Sequence, residues 1–115
     1  MPDLATLLEQ KTRHLALLWA EARRLAVILR GLGARDVYVF GSLAKGTAGA
    51  DSDLDLLIIA PSDSPPPKRS VPYQQAVAAA RPRVPVDLLV FTPEEASSPR
   101  RSRSLARLLE EGIRL

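Results

Sequence analysis

The possible fold of this chain is constrained most strongly by two short apolar segments on either side of a glycine-containing loop. Residues 37–40 are β-branched and aromatic, and residues 53–60 read Asp-Leu-Asp-Leu-Leu-Ile-Ile-Ala. Segments of this length and composition predict β-strands. Because the second stays apolar on both faces after its first residues, we expect it in the centre of a sheet. The connection of about a dozen residues is compatible with either parallel or antiparallel pairing.

Carboxylates cluster at the start of these strands. Asp53 and Asp55 open the second strand, and alternation of side chains along a strand points both to the same face. Two carboxylates at the start of an apolar strand are energetically unfavourable unless a cation binds to them. Asp87 stands near the start of a third apolar segment, Val86–Phe91. If the strands are neighbours, three oxygen ligands converge, which suits magnesium with its remaining shell of water and phosphate oxygens.

A glycine turn directly follows the first strand. Gly41 lets a phosphate approach the backbone, and Ser42 offers a backbone N–H and a hydroxyl as donors. Residues 43–45 can form a helical turn whose positive end faces the same phosphate, and Lys45 adds a point charge. Two other motifs fail on spacing. A calcium loop starting at Asp51 lacks its glycine and its last glutamate, and a P-loop reading lacks its lysine.

A long amphipathic helix is predicted at the start of the chain. Leucine and alanine recur at intervals of three and four over residues 3–30, with Asp3 as N-cap and with Gly31 and Gly33 as the stop. A break near residues 11–13 is compatible with the pattern. We expect the only histidine, His14, to serve packing or surface, because no other histidine or cysteine completes a site with it.

The rest of the chain alternates helix and strand. We predict an exposed proline-rich loop over 61–67, helices over 70–81 and 104–111, and a helix N-cap at Thr92. Residues 97–103 are expected to be irregular. The order helix, strand, strand, helix, strand, helix predicts an α/β (α+β) fold. It consists of one small mixed sheet of three or more strands with helices packed against it.

Composition narrows the class of protein. The 115 residues predict a single domain spanning 1–115. There is no cysteine, no apolar run that approaches a membrane helix and no secretory signal pattern, so we expect a cytoplasmic protein without a membrane partner. The net charge of +3 is too small to indicate nucleic-acid binding. We expect Arg100, Arg101 and Arg103 to be solvated surface.

The motifs together resemble a known signature. Residues 41–46 (Gly-Ser-Leu-Ala-Lys-Gly), residues 52–56 (Ser-Asp-Leu-Asp-Leu) and the later carboxylate Asp87 are similar to the nucleotidyltransferase superfamily that includes DNA polymerase beta. Size and element order resemble its minimal nucleotidyltransferase members, antitoxins that pair with HEPN-domain ribonuclease toxins. Lys45 is a departure, since arginine is commoner there; the charge is kept and the bidentate geometry is lost.

The resemblance implies a nucleotidyl transfer assisted by two magnesium ions. Asp53 and Asp55 would bind both ions, and Asp87 would bind the catalytic ion and help to activate the acceptor hydroxyl. Gly41 and Ser42 would hold the triphosphate of ATP or a related nucleotide, and pyrophosphate would leave. In the antitoxin family the acceptor is a tyrosine of the HEPN partner, which is adenylylated and silenced.

Two other functions stay open at this point. The chain can be an antitoxin that neutralises its partner by binding alone, a reading favoured by its size and by the long apolar-striped helix. It can also be a transferase for a small molecule such as an aminoglycoside, although that activity usually requires an added domain. The identity of the nucleotide and of the acceptor, and self-association of the chain, are left open.

Overall fold

A computed structural model describes residues 3–115. The elements follow in this order: α1 (Leu4–Gly31), β1 (Asp36–Phe40), α2 (Gly41–Lys45), β2 (Leu54–Ile59), α3 (Pro66–Arg69), α4 (Val71–Ala79), β3 (Val86–Phe91), α5 (Pro93–Ser97), α6 (Arg103–Glu111) and β4 (Ile113–Arg114). The mixture of helices and strands confirms the predicted fold class. Among the described residues, no helix combines the length and the apolar character needed to cross a bilayer.

One mixed sheet forms the centre of the fold. Its strand order is β3-β2-β1-β4, so the central position predicted for the second strand is confirmed. β1 pairs antiparallel with both β2 and β4, whereas β2 and β3 are parallel. The pairing left open by the loop length is therefore antiparallel. In β2 every residue except Asp55 is buried, as expected for a strand covered on both faces.

Helices cover the two faces of the sheet. α1 and α4 pack on one face, and α6 packs on the other. Alternate residues of each strand point to opposite faces of the sheet, and apolar residues occupy most positions on both faces. A fully buried leucine contributes roughly 1.5–3 kcal/mol. The first face buries Leu18, Leu25, Leu29, Val37, Val39, Leu56 and Ile58, and the second buries Leu57, Ile59 and Leu105.

Helix α1 runs without the break considered near residues 11–13. The Asp3 side chain accepts a hydrogen bond from the Thr6 backbone N–H at 2.8 Å, which confirms the predicted N-cap. Only the part from Leu18 onward is buried against the sheet. The first turns extend beyond it and leave apolar side chains exposed.

An ion pair on α1, between buried Glu21 and exposed Arg24, is hydrogen-bonded to the segment before β3. Glu21 is buried and accepts two hydrogen bonds from the Arg24 guanidinium, at 3.0 and 2.8 Å. It also accepts the Arg83 backbone N–H at 3.0 Å, and Arg24 donates to the Ala80 carbonyl at 3.0 Å. Hydrogen bonds from Arg24, with smaller contributions from Arg83, hold the pKa of Glu21 below its ordinary value. The pair fixes the chain that leads into β3.

Three sequence predictions need correction, and one strand was missed. Asp53 precedes β2 instead of opening it, so strand alternation does not set its direction. The segment 61–67 is not entirely loop, because Pro66 begins the short helix α3, where proline at the first helical position needs no backbone N–H. The segment 97–103 is not irregular throughout, since Arg103 starts α6 after the N-cap Ser102. β4 has only two residues and carries no readable pattern, so it was missed.

The predicted N-cap at Thr92 is confirmed as a capping box. Its side chain accepts the Glu95 backbone N–H at 3.2 Å, while the Glu95 carboxylate accepts the Thr92 N–H at 2.8 Å. Glu95 also pairs with Arg69, whose side chain is almost completely buried. The start of α5, directly after β3, is thereby tied to α3.

Candidate active site

Two of the predicted carboxylates lie opposite each other at one end of the sheet. Asp55 on β2 is the register partner of Asp87 on β3, and Phe40 on β1 is its partner on the other side. The three side chains share one face because they occupy the same register row. Asp55 is half-buried and Asp87 is exposed. The structure therefore brings together carboxylates separated by more than thirty residues of sequence.

The environment of Asp55 opposes its ionisation. Burial raises the pKa of the Asp55 carboxyl, and the charges of Asp87 and Asp53 raise it further, as does hydrogen bonding with Asp87. Each cause acts because the charged form loses hydration or meets a like charge. A cation bound at this position would instead favour the ionised carboxylate of Asp55. The cluster thus has the electrostatic character of a cation site.

Gly41 forms the wall beside Asp55. Its φ of +69° is in the left-handed region, which glycine adopts without strain. A Cβ at this position would lie 2.2 Å from Asp55 Oδ2 and 3.2 Å from its Cγ. Only glycine therefore leaves the Asp55 carboxylate where it is, and the backbone of the predicted phosphate-binding turn is adjacent to the predicted metal ligand. The helical turn predicted over 43–45 begins earlier, at Gly41 itself.

Asp53 lies in the loop that leads into β2 and is exposed. That loop is held by Ser52, whose hydroxyl accepts the Gly49 N–H at 2.8 Å and whose carbonyl lies 2.7 Å from Nε2 of His14. Either the neutral Nε2–H tautomer or the cation can donate this bond. His14 therefore links Ser52, the residue before Asp53, to helix α1. Sequence spacing gave no sign of this contact, which joins residues far apart in the chain.

The donor set agrees with a hard divalent cation. Within residues 3–115, no three or more histidine, aspartate or glutamate side chains stand ready-arranged around one point. Asp55 and Asp87 are the pair in register, and magnesium commonly takes only one or two carboxylates and completes its shell with water and phosphate. The pair and the close glycine backbone therefore suit magnesium carrying a phosphate. Asp53 as a direct ligand stays a prediction.

Of the predicted phosphate contacts, Gly41 and Lys45 line a small cavity, and Ser42 does not. Ser42 is half-buried on α2, and Lys45 at the end of α2 is exposed. Lys45 shares a cavity of about 140 Å³ with Gly41 and with Arg107 of α6. Arg107 was missed by sequence reasoning, since its position on a helix near the chain end shows no relation to residues 41–45. Glu111 lines the same cavity, and its Oε1 lies 4.0 Å from Arg107 Nε, so two cationic side chains and one carboxylate stand near the glycine turn.

A larger cavity of about 700 Å³ opens on the two carboxylates. Besides Asp55 and Asp87 its lining is mostly apolar, contributed by α4, the segment before β3 and β3 itself. Gln74 on α4 supplies a side-chain amide. Such a cavity is large enough to bury part of an organic substrate beside the carboxylates.

Comparison with known proteins agrees with this geometry. A crystal structure of a Sulfolobus solfataricus protein described as a nucleotidyltransferase superposes with a TM-score of 0.54 at 24% identity, covering 83% of this chain and 81% of that one. At this identity the likeness concerns the fold alone. No curated protein matches the chain. The family model of the nucleotidyltransferase domain matches residues 23–109, about three quarters of the sequence, and includes every candidate site residue. The chain therefore belongs to the nucleotidyltransferase domain family.

Proposed function

We propose that the protein transfers a nucleoside monophosphate, AMP from ATP, onto a hydroxyl group of a partner protein. In this reaction the hydroxyl oxygen bonds to the α-phosphorus, the bond from that phosphorus to pyrophosphate breaks, and the hydroxyl proton must be accepted. The observation that carries the proposal is the pairing of Asp55 with Asp87 beside the backbone of Gly41.

Each residue has a role that follows from its position. Asp55 and Asp87 would hold magnesium, with Asp53 as a further ligand. Magnesium, when bound, neutralises charge on the triphosphate and on the leaving pyrophosphate. The glycine turn at Gly41 and Ser42 would hold the phosphates. Asp87, the more exposed of the paired carboxylates, would accept the proton of the incoming hydroxyl.

Basic side chains support the phosphate assignment. Lys45 and Arg107 line the small cavity beside Gly41, and their two positive charges exceed the single negative charge of Glu111 there. Phosphoryl transfer depends mostly on positioning and on neutralising charge, so net positive charge beside the turn would assist the reaction. A lysine at this place acts as a point charge, whereas an arginine would bind two oxygens at once.

The proposed acceptor is a tyrosine of a HEPN-domain toxin, for which the chain would be the antitoxin. The support is the resemblance of the whole chain, in size and element order, to minimal nucleotidyltransferases of this kind. The proposed donor and cofactors, ATP and two magnesium ions, are supported by the resemblance of residues 41–46, residues 52–56 and Asp87 to the nucleotidyltransferase superfamily. A cytoplasmic location stays a prediction.

The test is label transfer. The protein is incubated with ATP labelled at its α-phosphate, magnesium and the HEPN protein, and label on the HEPN protein is measured. We expect transfer by the wild type and none by Asp55→Asn, whose neutral amide is a weak ligand for magnesium. Absence of label from wild type that still binds magnesium and ATP would exclude the proposed activity. Glu110→Gln, an exposed carboxylate on α6, is the matched control and should transfer normally.

A second candidate is neutralisation by binding alone. The observation in its favour is the exposed apolar start of α1, where Leu4, Leu7 and Leu8 are 71%, 48% and 54% exposed. If Asp55→Asn still neutralises the toxin at equal expression, binding suffices. If it fails while the complex forms, catalysis is needed. Transfer to a small molecule would instead give labelled product in the absence of any partner protein.

A further inference from the structure

Strand β3 forms one outer edge of the sheet and pairs only with β2 among the described strands. Leu54 N–H donates to the Pro85 carbonyl and Ala60 N–H donates to the Phe91 carbonyl, both at 2.9 Å. Alternation along the strand then places the backbone groups of Val86 and Leu88 on the outer edge. In residues 3–115, no hydrogen bond described outside the sheet ladder uses them. The edge therefore offers donors and acceptors in the spacing of an extended peptide.

The two edges of the sheet differ in protection. β4 has two residues, and its Arg114 pairs with Asp36 at 3.1 Å, so this edge is short and charged. β3 has six residues and a single charged one, Asp87, which belongs to the candidate site. Its Leu89 is 41% exposed. Natural sheets usually protect long apolar edges with charges or covering segments, so an unprotected edge at a functional site indicates a binding surface.

The large cavity follows this edge. Its lining passes from Asp55 and Asp87 on one face of the sheet, around residues 86–89 of β3, to Gln74 and Val77 of α4 on the other. An extended segment in this groove would therefore run directly past the carboxylate pair. Its backbone would meet that of β3, and alternate side chains would point to the apolar walls.

Charge at the groove indicates the chemistry of the occupant. Pro82 lines the groove, and the neighbouring side chains of Arg81 and Arg83 are both exposed. The segment before β3 is held in place by the bond from Arg83 N–H to Glu21, so these cations stand on a fixed part of the surface. They complement an occupant with acidic residues at one end.

We propose that the outer edge of β3 binds an extended segment of the acceptor protein as an added strand, which places a hydroxyl side chain of that segment beside Asp55 and Asp87. The segment has apolar residues at alternate positions and acidic residues toward Arg81 and Arg83. This inference rests on the proposed function for the transfer step. It specifies where the acceptor protein binds and which types of side chain its bound segment carries.

The test separates acceptor binding from chemistry. Val86→Pro removes one outward N–H at the first position of the strand, where proline is tolerated, and Leu89→Gln makes the groove wall polar. With the HEPN protein as acceptor, we expect each to raise the KM for acceptor about tenfold. Hydrolysis of ATP to AMP and pyrophosphate, with water in place of the acceptor hydroxyl, should be unchanged. The matched control is Ile113→Gln on the opposite edge, because Ile113 is 39% exposed and lies far from the carboxylates in the strand order.

The outcomes are distinct. An unchanged KM in both variants, or an equal rise in Ile113→Gln, overturns the proposal. Amide hydrogen exchange of the wild-type protein tests the docking surface even if a variant folds poorly. An added strand must slow exchange at the amides of Val86 and Leu88. If the wild type labels no protein but these amides are protected in the complex, the docking surface stands and the proposed transfer fails. Unchanged exchange with the acceptor present, or no complex at all, overturns the docking surface.

Discussion

Replacing Gly41 with alanine separates the stability of the fold from the function of the site. Two glycines near the site have a left-handed backbone, Gly41 with φ +69° and Gly46 with φ +77°. At Gly46 an added Cβ meets no atom within 4 Å, whereas at Gly41 it lies 2.2 Å from Asp55 Oδ2. Gly46→Ala is therefore a matched control with the same backbone strain and no steric conflict.

The two contributions can be estimated separately. A left-handed alanine costs about 1–2 kcal/mol, and the loss of unfolded-state freedom returns roughly 0.4–1 kcal/mol. Each variant should therefore lose about 1 kcal/mol, which lowers the melting temperature by roughly 4 °C for a domain of this size. In Gly41→Ala the Asp55 carboxylate must also move by about 1 Å to reach an ordinary contact distance. A carboxylate can rotate at little cost in stability, but a displacement of about 1 Å can reduce the rate about a hundredfold.

Thermal unfolding and the initial rate of label transfer from ATP together test this reasoning. Both variants should melt a few degrees below wild type. Gly46→Ala should keep its rate within a few-fold, and Gly41→Ala should lose about two orders of magnitude. Equal rates in the two variants would refute the argument that Gly41 exists to leave room for Asp55. A much larger loss of stability in Gly41→Ala would show that the Asp55 side chain cannot yield.

Three further predictions concern charge at the site and in the core. Because the pKa of Asp55 is raised in the folded protein, its ionisation destabilises the fold at neutral pH. Asp55→Asn should raise the melting temperature there, with a gain that shrinks as the pH falls through the raised pKa and is lost below about pH 4, and a pH-independent gain would contradict this. Magnesium with ATP should raise the melting temperature of wild type, EDTA should reverse the rise, and Asp87→Asn should abolish it. Glu21→Ala should cost about 1–3 kcal/mol in urea unfolding, because it leaves the Arg83 N–H without its acceptor; a loss no greater than that of Glu110→Ala on the surface would exclude this role.

The sequence predicted the elements whose patterns are local. The strand at 37–40 was found to within one residue, and Val86–Phe91 has the bounds predicted for it. The N-caps at Asp3 and Thr92 follow from side-chain chemistry within four residues, and both are confirmed. The pairing of Asp55 with Asp87 was also predictable, because each stands near the start of an apolar segment and a central strand needs neighbours.

What the sequence did not predict depends on contacts between distant parts of the chain. β4 is defined only by pairing with β1, and two residues cannot show alternation. Asp53 falls outside β2 because pairing with β3 begins at Leu54, a boundary that composition does not mark. The bond from His14 to Ser52 and the place of Arg107 beside Lys45 arise from the docking of α1 and α6. No spacing rule links such residues.

The order of the strands has a consequence for how the molecule assembles. β1 and β2 are joined by residues 41–53 and pair as neighbours, whereas β3 joins β2 only after the longer connection of residues 60–85. Closing the longer loop is entropically less favourable, and contacts distant in sequence form more slowly. We expect the antiparallel pair to form first and the parallel strand to be added later.

The carboxylate pair is divided between these two steps. Asp55 arrives with the early pair and Asp87 with the late strand. A partly folded chain therefore holds the glycine turn and one carboxylate without the other. The ability to bind magnesium and a nucleotide together would then mark the last stage of folding, so a nascent or damaged chain would be inert toward nucleotide before the sheet is complete.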